Sequence, residues 1–298
     1  MLILLIIIFI LLFFIYFSKK KKIQRNLGNT LSRYFGNLGL AMLNKQNFTW
    51  HQFDKDEYFY KDLPRHFRFQ KEIYNLLILS KFKRHDISFV ENSFWVVENE
   101  RIESFWLILK PHIQSILDGI LKKNNLYIQT KFPVIHFRCS DVPFIKNIHY
   151  HLVRYSFYKN SLNYIKTRLF FDDTVILQSC NQHRACDKKK KSCSIYLDSL
   201  KKYLEDLGYK ILIECNHEFH DFAKLFYAPA VISNGSSFAF MSGFFGFGIF
   251  ISEGHFTEKE PIIYCYDCGS WLKHGYSILH KDVKNYHDEK DVIQKLTG

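Results

Sequence analysis

Proline and glycine are scarce in this chain, six and thirteen of its 298 residues, and neither an internal repeat nor a long Pro/Gly/Ser stretch interrupts it. A flexible interdomain linker and a repeat array are thereby excluded, and any domain boundary has to come from changes of pattern. Charge is absent from Met1 to Phe17, a segment built almost wholly of Leu, Ile and Phe. No basic stretch precedes that apolar run and no small-x-small cleavage site follows it, which argues against the main rival, a cleaved signal peptide. It also lacks the polar stripe that a buried core helix normally keeps. As a helix it would rise about 25 Å against roughly 30 Å of hydrocarbon, a shortfall that snorkelling by Lys19 to Lys22 can cover. Residues 1–17 are therefore expected to be a single transmembrane anchor, with residues 1–22 forming anchor plus basic flank. The lysines follow the span, so the positive-inside rule puts the bulk of the chain on the cytosolic side. Seven cysteines, an odd number, suit a reducing compartment better than a full disulfide framework.

Hydrophobic residues make up 47% of the chain and aromatics 17%, enough for a sizeable core. A formal charge of +12 invites a nucleic-acid reading. The lysine runs at 19–22 and 188–191 are short, however, and lack the interleaved aromatics of a single-strand platform. A solvated basic surface, favourable to anionic lipid or a phosphorylated ligand, accounts for the charge better, and nucleic acid is not an expected partner.

Apolar periodicity over 30–44 (Leu31, Tyr34, Phe35, Leu38, Ala41, Met42) predicts a helix. Phe94 to Val97 reads as a short strand, and Pro111 near a first turn suggests a helix over 111–122. From residue 131 the pattern becomes regular. Strands are predicted at 132–137, 174–177, 210–213 and 230–233. Helices are predicted at about 148–168, 194–207 (capped by Gly208) and 219–227, with a further one after Ser237. Strands alternating with helices imply parallel βαβ units and a doubly wound α/β sheet, whose ligands bind beyond the carboxyl ends of the strands.

Two predicted strand ends carry chemistry. His136-x-Arg138-x-x-Asp141 offers a guanidinium fork suited to phosphate, although a surface ion pair would use the same residue type. Ser233-Asn234-Gly235-Ser236-Ser237-Phe238 is a small-residue turn opening a helix, where free N–H groups and hydroxyls make an anion site and Ser236 would also serve as an ordinary N-cap. A third turn, Asn26-Leu27-Gly28-Asn29, feeds the first helix and by pattern alone is an unremarkable turn with its cap.

These residues together resemble the fucosyltransferases. Leu27-Gly28-Asn29 with Tyr34-Phe35-Gly36, Leu40-Ala41 and Leu43-Asn44-Lys45 looks like that family's opening stretch. His136-Phe137-Arg138-Cys139-Ser140-Asp141 resembles its His-x-Arg-x-x-Asp motif. Asn234 to Phe240, within Ala228 to Phe245 and preceded by Asp221-Phe222-Ala223, resembles the serine motif of the α-1,2-fucosyltransferases. The matches occur in the family's order from 26 to about 250. The resemblance implies a GT-B type α/β fold with two Rossmann-like lobes and parallel sheets, residues 23–130 on the acceptor side and 131–298 on the donor side. It implies inverting, metal-independent transfer of fucose from GDP-fucose, with no cofactor, to a glycan or glycoprotein in an endoplasmic reticulum or Golgi type membrane. Carried over by position, Gly28, Asn29, His136, Arg138, Asn234, Ser236, Ser237 and Phe238 bind the donor, and Arg138, Asn29 and Asp141 serve the transfer step. Asp141 and His136 are the nearby candidates for general base.

The chain also departs from the family. Cys139 stands where a second arginine is usual, Ala239 replaces a serine, and Glu214-Cys215-Asn216-His217 replaces an acidic pair. A binding protein of the same fold without catalysis is the alternative these changes motivate. Cys180-x-x-His183-x-x-Cys186 with Cys193 holds potential zinc ligands, but its spacing matches no common finger and basic residues crowd it, so no metal is expected.

Overall fold

The computed structural model describes residues 27–50, 58–80, 87–89, 95–97, 102–139, 152–179, 187–254, 262–265, 272–273, 277–278 and 288–298. The proposed anchor, Asp141, Cys180, His183 and Cys186 lie outside the described residues. Among those described, no helix is long and apolar enough to cross a membrane.

The first helix, α1 (Leu27–Leu43), buries Leu27, Leu31, Tyr34, Phe35, Leu38 and Met42, the one-sided spacing that a 3.6-residue period demands. It starts three residues earlier than its periodicity suggests, so Gly28 and Asn29 belong to its first turn and not to a preceding loop. The pair β1 (Phe48–Thr49) and β2 (His66–Phe67) flanks a short helix, α2 (Tyr58–Lys61), and is followed by α3 (Lys71–Leu79). A second antiparallel pair, β3 (Ile87–Phe89) and β4 (Trp95–Val97), contains the strand predicted around Trp95. Helix α4 runs from Ile102 to Lys123, nine residues further upstream than expected, with Pro111 inside it. Proline costs an interior helix one hydrogen bond. Buried Phe105, Trp106 and Leu109 before it and Ile113, Leu117 and Leu121 after it form one continuous apolar face, and burying that face outweighs the loss.

The regular half follows as β5 (Val134–His136), β6 (Leu152–Val153), α5 (Tyr155–Lys166), β7 (Thr174–Gln178), α6 (Asp187–Asp206), β8 (Lys210–Glu214), α7 (Glu218–Tyr227) and β9 (Ala230–Ser233). The helix expected after Ser237 is only one turn, α8 (Ser237–Ala239), continued by a π-helical turn over Phe240–Phe244. Strands β10 (Ile249–Gly254), β11 (Ile262–Cys265), β12 (Leu272–Lys273) and β13 (Ser277–Ile278) and helix α9 (Glu289–Thr297) complete the described chain.

Among the described residues the main sheet has seven strands in the order β12-β11-β10-β9-β5-β7-β8. Its five members from β10 to β8 are parallel, and β11 and β12 join antiparallel at one edge, giving a Rossmann-like α/β sheet. It is the one parallel sheet among the described residues. The N-terminal region contributes helices and two small antiparallel pairs where a second parallel sheet was expected. The expected boundary at residue 130 falls between α4 and β5, and a single hydrophobic cluster continues across it. Phe105, Leu109 and Leu117 share that cluster with Val134, Ile176, Val231 and Phe250. On the sheet's other face Ile135, Leu177, Ile232 and Ile251 pack with α5, α6 and α9.

Candidate functional site

From β5 the chain steps to β7 and β8 on one side, then returns to place β9 and β10 on the other. The order therefore reverses between β5 and β9, and the crevice at the carboxyl ends of such a pair is where open α/β sheets take their ligands. Both sequence motifs sit there. Arg138 lies two residues beyond β5, and Asn234 immediately follows β9.

The two strand ends are fastened by a side chain. Asn234, almost fully buried, accepts a hydrogen bond from the Arg138 N–H through Oδ1 at 2.7 Å and donates through Nδ2 to the Arg138 carbonyl at 2.7 Å. An amide side chain has the donor and the acceptor needed to satisfy the N–H and the carbonyl of one residue in this way. Gly235 then turns the chain at φ +84°, a region costly to any residue with a Cβ. Ser236 caps α8, its Oγ accepting from the Phe238 N–H at 3.2 Å.

Helix α1 closes the site from the other side. The Ser237 hydroxyl donates to Asn29 Oδ1 at 2.5 Å, across 208 residues of sequence. A Cβ on Gly28 would stand 2.3 Å from the Phe238 nitrogen, so the backbones of α1 and α8 touch and only glycine fits. The Leu27 N–H, one of the donors a helix start leaves open, reaches Glu218 Oε1 on α7 at 3.4 Å. The sequence assignment that grouped Gly28 and Asn29 with Ser236, Ser237 and Phe238 thus describes residues that are neighbours in space. The expectation of free donors at this turn needs correction. The Phe238 N–H and the Ser237 hydroxyl are both engaged within the protein, because a one-turn helix spends its few open groups on its cap and on α1.

The sheet's register reveals a feature that motif reading missed. One crossing row is apolar in every parallel strand: Phe250, Val231, Val134, Ile176 and Leu212. Two residues further along the same face the row is polar in every strand: Ser252, Ser233, His136, Gln178 and Glu214. At the outer end Glu214 pairs with Lys224 of α7. At the centre, Ser233 Oγ, His136 Nδ1 and Gln178 Oε1 are buried, with no hydrogen-bond partner among the described residues. The other end of the Gln178 amide donates to the Asp221 carbonyl at 3.3 Å. Burial together with the nearby Arg138 charge lowers the His136 pKa to about 4, so the ring is neutral at physiological pH. The His136 ring lies 5.7 Å from that of the half-buried Phe238, which meets Phe222 edge-on at 5.6 Å. A signal for the row does exist in the sequence. Four of the parallel strands end with an aliphatic residue followed by a polar one, Ile135-His136, Leu177-Gln178, Ile213-Glu214 and Ile232-Ser233, and β10 carries Ile251-Ser252 within it.

Cys139 points to the opposite face, where it forms a disulfide with Cys193 of α6 at a Cα separation of 5.7 Å. Cys193 is therefore no zinc ligand, and Cys215, directly after β8, is disulfide-bonded as well. These bonds run against the reducing environment inferred from an odd cysteine count, which says nothing about how many cysteines pair. Among the described residues no group of three or more His, Cys, Asp or Glu is placed to hold a metal ion. Comparison of the chain with protein-family models, with curated proteins and with solved structures gave no match.

Proposed function

We propose that this chain is a membrane-anchored glycosyltransferase that transfers fucose from GDP-fucose to a glycan or glycoprotein, with inversion and without a metal. The observation that carries this reading is the convergence of Arg138, the Asn234–Ser237 turn and Gly28–Asn29 on the strand-order reversal of one parallel sheet. Arg138 is the cation for the donor's β-phosphate. As the sugar departs, negative charge accumulates on the diphosphate, and a guanidinium held there with the Ser236 hydroxyl stabilises it more than it stabilises the ground state. The Asn234 clasp fixes the backbone from which Arg138 projects, so little reorganisation accompanies the reaction. His136, with its pKa near 4, is a weak base for an acceptor hydroxyl at neutral pH. That leaves the transfer-step base to a carboxylate such as Asp141.

The second reading keeps the nucleotide-sugar site without catalysis. Its support is Cys139, which spends on a disulfide the position where the family usually has a second arginine. Incubating the full chain with GDP-fucose and a panel of glycan acceptors separates the two. Product formation establishes transfer, whereas tight GDP binding with no product on any acceptor supports the binding protein.

The membrane reading follows from residues 1–17, with an endoplasmic reticulum or Golgi type membrane as its place. Disulfides persist in oxidising compartments, so Cys139–Cys193 and the bonded Cys215 support a lumenal site against the cytosolic preference of Lys19 to Lys22. Protease treatment of sealed microsomes should leave the catalytic region intact. Digestion without detergent would put it in the cytosol.

A further inference from the structure

Resting on that donor reading, we propose that Ser233, His136 and Gln178 form a subsite beneath Phe238 for the hydroxyl groups of the transferred sugar. Three observations lead to it. Leaving a buried polar group unpaired is costly, and here three atoms without a partner among the described residues stand side by side on neighbouring strands. Ser233 and Gln178 are almost wholly buried, and their unpaired atoms share the face that carries the candidate site. Their position is the strand-order reversal itself, with His136 two residues before Arg138 and Ser233 directly before Asn234.

The chemistry of the row selects the kind of ligand. The Gln178 Oε1 can only accept, and it is fixed on this side because the amide nitrogen donates to the Asp221 carbonyl. Phosphate oxygens are acceptors too and cannot satisfy it. The Ser233 hydroxyl gives or receives, and a neutral imidazole nitrogen does one or the other according to its tautomer. Hydroxyls both donate and accept, so a sugar ring pairs with all three while a diphosphate does not. The sugar hangs from the phosphate that Arg138 grips, which brings its hydroxyls to the row that ends at His136 and Ser233. In the closed arrangement the three atoms are sealed from solvent, with Phe238 against the His136 ring. Half-buried Phe238 lies against the His136 ring, so a sugar reaching that ring has to displace it.

The test compares GDP with GDP-fucose on the full chain in lipid nanodiscs by isothermal titration calorimetry. Ser233→Ala and Gln178→Met should each weaken GDP-fucose about tenfold while leaving GDP within about twofold. Without ligand, the Ser233→Ala melting temperature should hold or rise, since the replaced hydroxyl had no partner to lose. Equal weakening of both ligands overturns the subsite and gives the row to the nucleoside. No change for either ligand also overturns it, leaving a row that holds buried water only. If the wild-type chain binds neither nucleotide, the donor reading itself fails, and the subsite with it.

Discussion

The two faces of the parallel sheet are made by the same five strands and end differently. Towards α5, α6 and α9 the central strands present Ile135, Leu177, Ile232 and Ile251, and beyond β5 the series continues through Phe137 to the Cys139–Cys193 disulfide. Towards α1, α4 and α7 an apolar row gives way to Ser252, Ser233, His136, Gln178 and Glu214. A face that served stability alone would not place three unpaired polar atoms at its centre. The contrast separates a face that is apolar against its helices from a face that ends in a buried polar row, the one to which the proposed function gives the ligand.

Substitutions on the two faces should break the molecule in different ways. The largest effect is expected from the closed face. Cys193→Ala removes a crosslink spanning 54 residues and should lower unfolding free energy by about 4 kcal/mol, read from urea titration. Leu177→Ala, on the same face and fully buried, should cost about 2–5 kcal/mol in the same assay. GDP affinity should stay near wild type where that variant is folded. On the open face, Arg138→Ala should lower transfer by about 10²–10³-fold with a much smaller change in stability.

Acid should act through His136. Its folded pKa, about 4, lies below the ordinary histidine value, so the unfolded chain takes up a proton first as the pH falls. Stability relative to a His136→Asn variant should be flat above about pH 6.5 and decline steadily towards pH 4. A flat difference across that window would mean that the ring is not buried neutral. The smallest effect is expected from Asn29→Ala, which removes one hydrogen bond to Ser237 and should cost about 1 kcal/mol.

The contrast between the faces also explains what the sequence made legible. Runs such as Thr174 to Leu177 and Ala230 to Ser233 are short, apolar and β-branched, and the strands formed where that pattern lies. Ser236 capped its helix as the small-residue turn implied. The extent of α4 was hidden because Pro111 is a start signal that a strongly apolar face overrode. The Asn234 clasp on Arg138 spans 96 residues and depends on which strands are neighbours, an order that local pattern does not encode. The polar row was hidden for the same reason. Each Ile-polar or Leu-polar pair looks ordinary alone and becomes a row only when the register aligns all five. The pairing of Cys139 with Cys193 likewise needed the packing of α6 against the sheet to be known.

In the proposed function the crevice between the ends of β5 and β9 binds the diphosphate of a nucleotide sugar through Arg138. Titrating GDP into the wild-type chain and Arg138→Ala by calorimetry, with thermal unfolding of both in parallel, tests it most directly. GDP should bind the wild type and bind at least about a hundredfold more weakly to the variant, which should still unfold cooperatively near the wild-type temperature. Equal GDP affinity in the two proteins would contradict it.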